Sequence, residues 1–208
     1  MLRVGLTGGI ACGKSTVAAM MSELGCHVLN ADKMAHVLIA PGESAYGEIR
    51  RKFGADILAP DGSIDRARLA AVVFADADKL ASLNAIVHPR VLRELELELE
   101  RLSRIDPQGV AVVEAALLIE SGYHKRLDRL VLVTCTREQQ LERLTNPAFG
   151  REMSREQAER RIAAQMPLEE KRKVAHDEVD SSGSLDYTTR RVRALVEQLK
   201  QTAGGRAH

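Results

Sequence analysis

Short apolar runs, each closed by glycine or polar residues, alternate along the chain with stretches whose apolar positions recur at helical spacing. Val4-Gly5-Leu6-Thr7 predicts a short buried strand that runs into a glycine-rich turn. From Lys14 to Leu24 the apolar residues Val17, Met20, Met21 and Leu24 follow a helical stripe, and Gly25 supplies the stop. His27-Val28-Leu29-Asn30 predicts a second buried strand, followed by polar Asp32 and Lys33. Strand, tight turn, helix and strand within about 30 residues form the βαβ unit of a parallel sheet. Val110–Val113 and Leu130–Thr134 are further apolar runs whose unbroken character predicts strands covered on both faces.

Between the second and third strands, from Met34 to Arg104, the pattern is mainly helical, with turn signals at Pro41-Gly42 and Pro60-Asp61-Gly62. This stretch is too long for a simple crossover and predicts an inserted helical subdomain. Within it, Glu94–Glu100 alternates Glu and Leu at the period of a half-buried strand. No β-branched residue occurs from Leu92 to Ser103, however, and Leu92, Leu95, Leu99 and Leu102 lie on a helical stripe, so a helix is expected. Thr136-Arg137-Glu138-Gln139 and Ser154-Arg155-Glu156-Gln157 read as capping boxes that start two helices, with a turn at Asn146–Gly150 between them. Val192, Leu195, Val196 and Leu199 give a last helix a face to pack on the sheet, and Gln201–His208 is expected as a frayed tail.

Composition narrows the function classes. A net charge of +1 makes no electrostatic case for nucleic acid or anionic membrane, and 3% aromatics with no Trp weaken any stacking platform for bases, which disfavours a nucleic-acid binder without excluding it. Cys12, Cys26 and Cys135 lack metal-ligand spacing, and their odd number points to reduced thiols. With a strand expected within a few residues of Met1 and no apolar run near the roughly 20 residues of a membrane span, a cytoplasmic protein is expected.

The chemistry is concentrated in Gly8-Gly9-Ile10-Ala11-Cys12-Gly13-Lys14-Ser15, which fits G-x-x-x-x-G-K-[ST] at every fixed position. Glycines there let successive backbone N–H groups line one concavity for phosphate oxygens, and the positive end of the following helix adds to the field. Lys14 is expected at the β- and γ-phosphates, Ser15 on Mg²⁺, and Thr16 as a second phosphate contact. A strand before the motif and a helix after it leave chance a poor explanation. Asp32, just past the second strand, stands where a carboxylate can take the proton of an attacking hydroxyl; a solvated loop aspartate or a helix N-cap is the competing reading. Arg143 and Arg151 in the arginine-rich segment are candidates to close over the phosphates. The other arginines there, such as Arg155 and Arg160, read as a solvated face. Cys12 at a helix N-terminus is a candidate reactive thiolate, against the alternative of a small residue whose side chain faces away.

Several further segments occur in order: Val4–Ile10 with its L-T-G-G-I, Asn30-Ala31-Asp32, Phe53-Gly54, His88-Pro89, Leu117-Leu118-Ile119-Glu120, and Arg161–Pro167. With them the chain resembles the dephospho-coenzyme A kinase family almost end to end. The resemblance implies ATP-dependent phosphorylation of the ribose 3′-hydroxyl of dephospho-coenzyme A, the last step of coenzyme A synthesis. It implies Asp32 as base, and Thr7, His88, Pro89, Leu117, Leu118 and Glu120 as residues around the acceptor. The chain departs from the family pattern at Asn30, where the family has Asp. It departs again at Asn146–Gly150, which reads as an insertion before Arg151, and at Ala175-His176 and Ser181-Ser182-Gly183 near the C-terminus.

The expectation is an α/β, three-layer P-loop NTPase fold with a parallel sheet. Residues 1–33, 108–136 and 172–200 would form the nucleotide-binding core, 34–107 a helical acceptor domain, and 137–171 a small helical lid, with 201–208 as tail. ATP, Mg²⁺ and dephospho-coenzyme A are the expected partners of a monomer that binds neither nucleic acid nor membrane. A kinase for a nucleoside monophosphate or a sugar, and a nucleotide-dependent regulatory module, are the competing functions.

Overall fold

The computed structural model describes residues 1–149 and 153–205. In chain order the regular elements are β1 (Leu2–Gly8), α1 (Lys14–Glu23), β2 (His27–Asn30), α2 (Ala31–Leu38), α3 (Tyr46–Phe53), α4 (Arg66–Phe74) and α5 (Ala77–Ile105). There follow β3 (Val110–Glu114), β4 (Arg129–Thr134), α6 (Arg137–Thr145), α7 (Arg155–Ala163), α8 (Leu168–Arg172), β5 (Asp177–Asp180) and α9 (Leu185–Gly204). The chain forms two compact units, Met1–Leu29 with Arg101–His208, and Asn30–Glu100.

The first unit is built on a five-stranded sheet in the order β2-β3-β1-β4-β5. β1 runs parallel to β3, with Val4 opposite Val112, and to β4, with Leu6 opposite Val131; β4 runs parallel to β5, with Val133 opposite Val179. The chain leaves β1 toward β2, whereas it leaves β3 toward β4 on the other side of β1. The crevice outside the carboxyl ends of β1 and β3 is therefore the switch point where open α/β sheets bind ligands.

The central strands form because both of their faces are covered. Leu2, Val4, Leu6, Val112, Val131 and Val133 are fully buried. Val17 and Met21 of α1 and the stripe Val192, Leu195, Val196 and Leu199 of α9 belong to the same core. Each fully buried Val or Leu contributes about 1.5–3 kcal/mol relative to exposure. Gly25, at φ 86°, ends α1 by donating its N–H to Ser22 O, as its left-handed conformation allows. Both capping boxes form: Thr136 and Ser154 accept from the backbone of Gln139 and Gln157, whose side chains reach back to the cap residues.

In the second unit the two turn signals hold. Asp61 accepts from Ser63 N and Oγ at 2.9 and 2.7 Å, and Tyr46 Oη donates to Gly62 O at 2.6 Å. Arg90 ties α5 to α3 through Glu48 Oε2 at 2.7 Å and also donates to Ser44 O. The alternating Glu-Leu segment is helical, within α5. Leu95 and Leu99 are 1% and 0% exposed while Leu97 is 50% exposed, a split that a strand, with all three on one face, would not give. Pro89 sits inside α5, where it lacks the N–H that would bond to the carbonyl four residues earlier.

Two features differ from the sequence expectation. α9 continues through Gln201 to Gly204, with Ala203 buried, so these residues close the last helix rather than fray. β5 is a strand that the apolar pattern did not predict, since Asp177-Glu178-Val179-Asp180 offers one apolar side chain. Its polar residues are held instead by ion pairs and hydrogen bonds. Arg129 makes a two-pronged contact with Asp177 at 3.0 Å on each prong, and Thr134 Oγ1 donates to Glu178 Oε1 at 2.8 Å. No helix among the described residues is long and apolar enough to cross a membrane.

Glu178 also accepts from Arg172 Nε and Nη2, both at 2.8 Å, and these bonds hold its carboxyl below the ordinary value. A depressed folded-state pKa contributes stability that is complete above the unfolded value of about 4.3 and is lost as pH falls through the folded value. Glu178→Gln is therefore expected to lower the melting temperature at pH 7, with the gap from the unsubstituted protein closing as pH falls through the depressed folded-state value. Melting curves across pH test this, and a gap that is the same at both ends of the range would contradict it.

Candidate active site

The loop between β1 and α1 is shaped by where its carbonyls go. Ile10 O accepts from Gln140 Nε2 at 2.8 Å, Ala11 O from Arg143 Nη1 at 3.1 Å, and Cys12 O from Ser181 Oγ at 2.7 Å. Three successive carbonyls are thus turned into the protein. In a planar trans peptide the N–H points opposite to the C=O, so the N–H groups of Ala11, Cys12 and Gly13 turn the other way. That of Cys12 closes a turn on Gly9 O at 3.2 Å, leaving those of Ala11 and Gly13 facing the hollow. The first helical amides, those of Lys14, Ser15 and Thr16, lack intrahelical partners by position, and no acidic residue stands in that first turn. A ring of N–H groups at the positive end of a helix is an anion site, suited to phosphate.

Backbone shape demands small residues here. A Cβ on Gly8 would lie 2.4 Å from Val133 O, a main-chain atom that cannot step aside. Gly13 has φ 83°, and Ala11 holds the left-handed region at φ 61°, which costs a non-glycine residue about 1–2 kcal/mol. The Arg143 bond to Ala11 O helps hold that strained residue. Arg143 Nη2 also donates to Ser181 O at 3.2 Å. Its guanidinium therefore braces the loop and keeps its charge beside it. Gln165, just after α7, accepts from Ile10 N at 2.7 Å, so the peptide groups on both sides of Ile10 are gripped by glutamines.

At the ends of β1 and β3 the polar groups converge. Ser15 Oγ donates to Oε1 of Glu114, the last residue of β3, at 2.8 Å, and Glu114 is 5% exposed. Among the described residues no three His, Cys, Asp or Glu side chains form a metal cage. A hydroxyl with one carboxylate nevertheless fits a hard divalent cation that takes its remaining ligands from phosphate and water. Ala116 O accepts from Thr7 Oγ1 at 3.2 Å and from Lys171 Nζ at 3.0 Å. Lys171 has no exposed surface and pairs with Glu120 Oε1 at 2.9 Å. Thr7 and Glu120 thus use their polar groups to hold the segment after β3. In that segment Leu118 is buried and Leu117 is 46% exposed.

Asp32, His88 and Pro89 belong to the second unit. Asp32 is the second residue of α2, two past the end of β2, and is exposed. The N-cap of that helix is Asn30, whose Oδ1 accepts from Lys33 N at 2.8 Å, so Asp32 is not spent as the cap. His88 and Pro89 lie exposed within α5. Arg151 lies outside the described residues. Sequence reasoning missed Glu114, Gln140 and Lys171, and named Gln165 and Ser181 only within family segments, without the loop-bracing role they have. Of the three that were missed, Glu114 carried a local signal, as an acidic residue ending an otherwise apolar strand.

Behind the loop, Cys135 Sγ donates to Cys12 Sγ at 3.3 Å. That bond holds the Cys12 thiol below its ordinary value against the opposing effect of burial, with the charge of Lys14 adding in the same direction. Donation to Cys12 and burial push the Cys135 thiol up.

A dephospho-CoA kinase family model matches residues 2–186. The dephospho-CoA kinase of Aquifex aeolicus (strain VF5) is 43% identical over 199 residues, 96% of this chain and 98% of its own. That of Geobacillus kaustophilus (strain HTA426) is 43% identical over 197 residues, 95% of this chain and 96% of its own. A crystal structure from Thermus thermophilus matches with a TM-score of 0.80 at 37% identity, covering 95% of this chain and 97% of that one. A shikimate kinase from Acinetobacter baumannii, at 17% identity and a TM-score of 0.52 over 97% and 95% of the two chains, shares the fold.

Removing the ammonium of Lys171 would strand Glu120, whose side chain is only 24% exposed, and take one of two donors from Ala116 O. Lys171→Met is expected to destabilise the protein by about 3 kcal/mol, as for one member of a buried ion pair. Denaturant unfolding measures it, and a loss below about 0.5 kcal/mol would show that the pair holds nothing in place.

Proposed function

The chain belongs to the dephospho-CoA kinase family, and we propose that it transfers the γ-phosphoryl group of ATP to the ribose 3′-hydroxyl of dephospho-coenzyme A. The observation that carries this reading is the braced phosphate loop, in a chain that matches the family over almost its whole length. The amides of Ala11, Gly13 and the first turn of α1 would hold the phosphates of ATP, with Lys14 at the β- and γ-phosphates and Thr16 beside them. ATP-dependent kinases use a divalent cation, here proposed as Mg²⁺, held by Ser15 with Glu114 nearby. When bound it neutralises charge on the phosphate oxygens.

The second unit would carry the acceptor, with His88 and Pro89 among its contacts and Leu117, Leu118 and Glu120 contributing from the segment after β3. Asp32, exposed and not engaged as a helix cap, would orient the 3′-hydroxyl and take its proton. Residues 137–171 would act as a lid that excludes water as the phosphoryl group moves. In this scheme Arg143 adds positive charge from beside the loop and Arg151 adds it from the lid. The protein would work as a monomer in the cytoplasm, with its three thiols reduced.

Incubation of the protein with Mg-ATP and dephospho-coenzyme A, read by mass, is expected to yield coenzyme A. Asp32→Asn is expected to lower the rate by about 10²–10⁴-fold without loss of fold. Transfer to a nucleoside monophosphate or a sugar in a parallel panel, with no coenzyme A formed, would overturn the acceptor assignment. A variant as fast as the unsubstituted enzyme would remove Asp32 from the base role.

A further inference from the structure

Among the described residues the most unusual chemical pair outside the proposed reaction is the thiol pair beneath the phosphate loop. Cys135 directly follows β4, and its sulfur lies 3.3 Å from that of Cys12, within hydrogen-bond distance. Cys12 has no exposed surface and Cys135 is 9% exposed, so both thiols are screened from bulky reagents and the oxidant considered is a small one. Their backbones are already tied together. One hydroxyl, Ser181 Oγ, lies within hydrogen-bond distance of both Cys12 O at 2.7 Å and Thr134 O, the carbonyl preceding Cys135, at 2.9 Å, and shares its single proton between them. The third thiol, Cys26, is 5% exposed at the opposite end of α1, has no sulfur partner, and is pushed up by burial.

We propose that Cys12 and Cys135 form an oxidative modification site, in which a hydroperoxide links them as a disulfide and so disables the phosphate loop. The chemistry balances in two steps. The Cys12 thiolate sulfur attacks one peroxide oxygen, the O–O bond breaks, and hydroxide leaves, giving a sulfenic acid on Cys12. The Cys135 sulfur then attacks Cys12 Sγ, the S–S bond forms, and the S–O bond breaks. The departing hydroxide takes the Cys135 proton as water. Overall two thiols lose two electrons and two protons, and hydrogen peroxide is reduced to two waters. Acidification of Cys12 by its bond from Cys135 and by Lys14 supports Cys12 as the first nucleophile, since the thiolate is the reactive form.

The consequence follows from the geometry of the loop. A disulfide brings the sulfurs to about 2.05 Å, so they must approach by roughly 1.2 Å. β4 is an inner strand of the sheet, paired on both sides, with Val131, Leu132 and Val133 fully buried, so displacing it costs more than displacing a loop. The loop must therefore give, and Cys12 sits between Ala11 and Gly13, both in the left-handed region, with its own N–H and C=O engaged. A shift of about 1 Å in a positioned group is enough to cost about 10²-fold in function.

The test uses the full, reduced chain titrated with hydrogen peroxide and then mapped by peptide mass. ADP affinity is followed by calorimetry before oxidation, after it, and after dithiothreitol, a readout that does not depend on which hydroxyl accepts the phosphoryl group. A Cys12–Cys135 linked peptide is expected while Cys26 is still a free thiol, together with a fall in ADP affinity of about 10²-fold that dithiothreitol reverses. Cys135→Ala and Cys135→Ser are expected to bind ADP like the unsubstituted protein and to keep that affinity at the same dose. Using both separates loss of the bond from a packing defect of one side chain. ADP binding lost without the linked peptide, lost equally in both variants, or retained in fully linked protein would each overturn the proposal.

Discussion

A loop that turns its N–H groups toward a ligand must turn its carbonyls into the protein, and each buried carbonyl then needs a donor. That constraint organises the first unit of this chain. Gln140, Arg143 and Ser181 supply the donors for Ile10, Ala11 and Cys12, and they come from α6 and from the residue after β5. An unsatisfied buried carbonyl costs about 1–3 kcal/mol, so three such bonds decide whether the loop holds its anion-binding shape before a ligand arrives. The parallel sheet places β1 in the centre, with β4 close enough that only glycine fits at position 8. The same closeness brings the sulfur of Cys135 up to that of Cys12.

Around this cradle, charges are placed with regard to solvent. Lys171 is fully buried, an expensive location unless its partners are well made, and it has a carboxylate and a carbonyl at 2.9 and 3.0 Å. It fixes the segment after β3 against α8, while Thr7 fixes the same carbonyl against β1. The ends of the two strands that flank the switch point are thereby held to each other. Ser15 and Glu114 meet at that junction, in the position a cation would share with phosphate oxygens.

Much of this was legible from the chain. Continuous apolarity marked β1, β3 and β4, the phosphate-loop motif marked its own turn, and two capping boxes marked the starts of α6 and α7. The Glu-Leu alternation was resolved by propensity, because Leu and Glu favour helix and no β-branched residue argued for strand. What escaped was whatever depends on distant partners. β5 has one apolar residue and is held by Arg129, Thr134 and Arg172, none of which a local pattern can assign to it. Ser181 was noted only as a departure from the family, yet it bonds a carbonyl 169 positions earlier. Lys171, in a helix of Leu-Glu-Glu-Lys-Arg, has the composition of a surface residue and is buried. Arg143 was expected over the phosphates, and its bonds to Ala11 O and Ser181 O, which brace the loop that would hold them, were not foreseen.

If the inward-turned carbonyls shape the cradle, weakening one of their donors must weaken anion binding more than it weakens the fold. Titration calorimetry of ADP with Ser181→Ala measures this directly, with the melting temperature followed alongside. Loss of the Cys12 O bond is expected to reduce affinity about tenfold, equivalent to about 1.4 kcal/mol, with the protein still folded at the temperature of the titration. An unchanged ADP affinity in the folded variant would contradict the claim that the cradle is held open from behind.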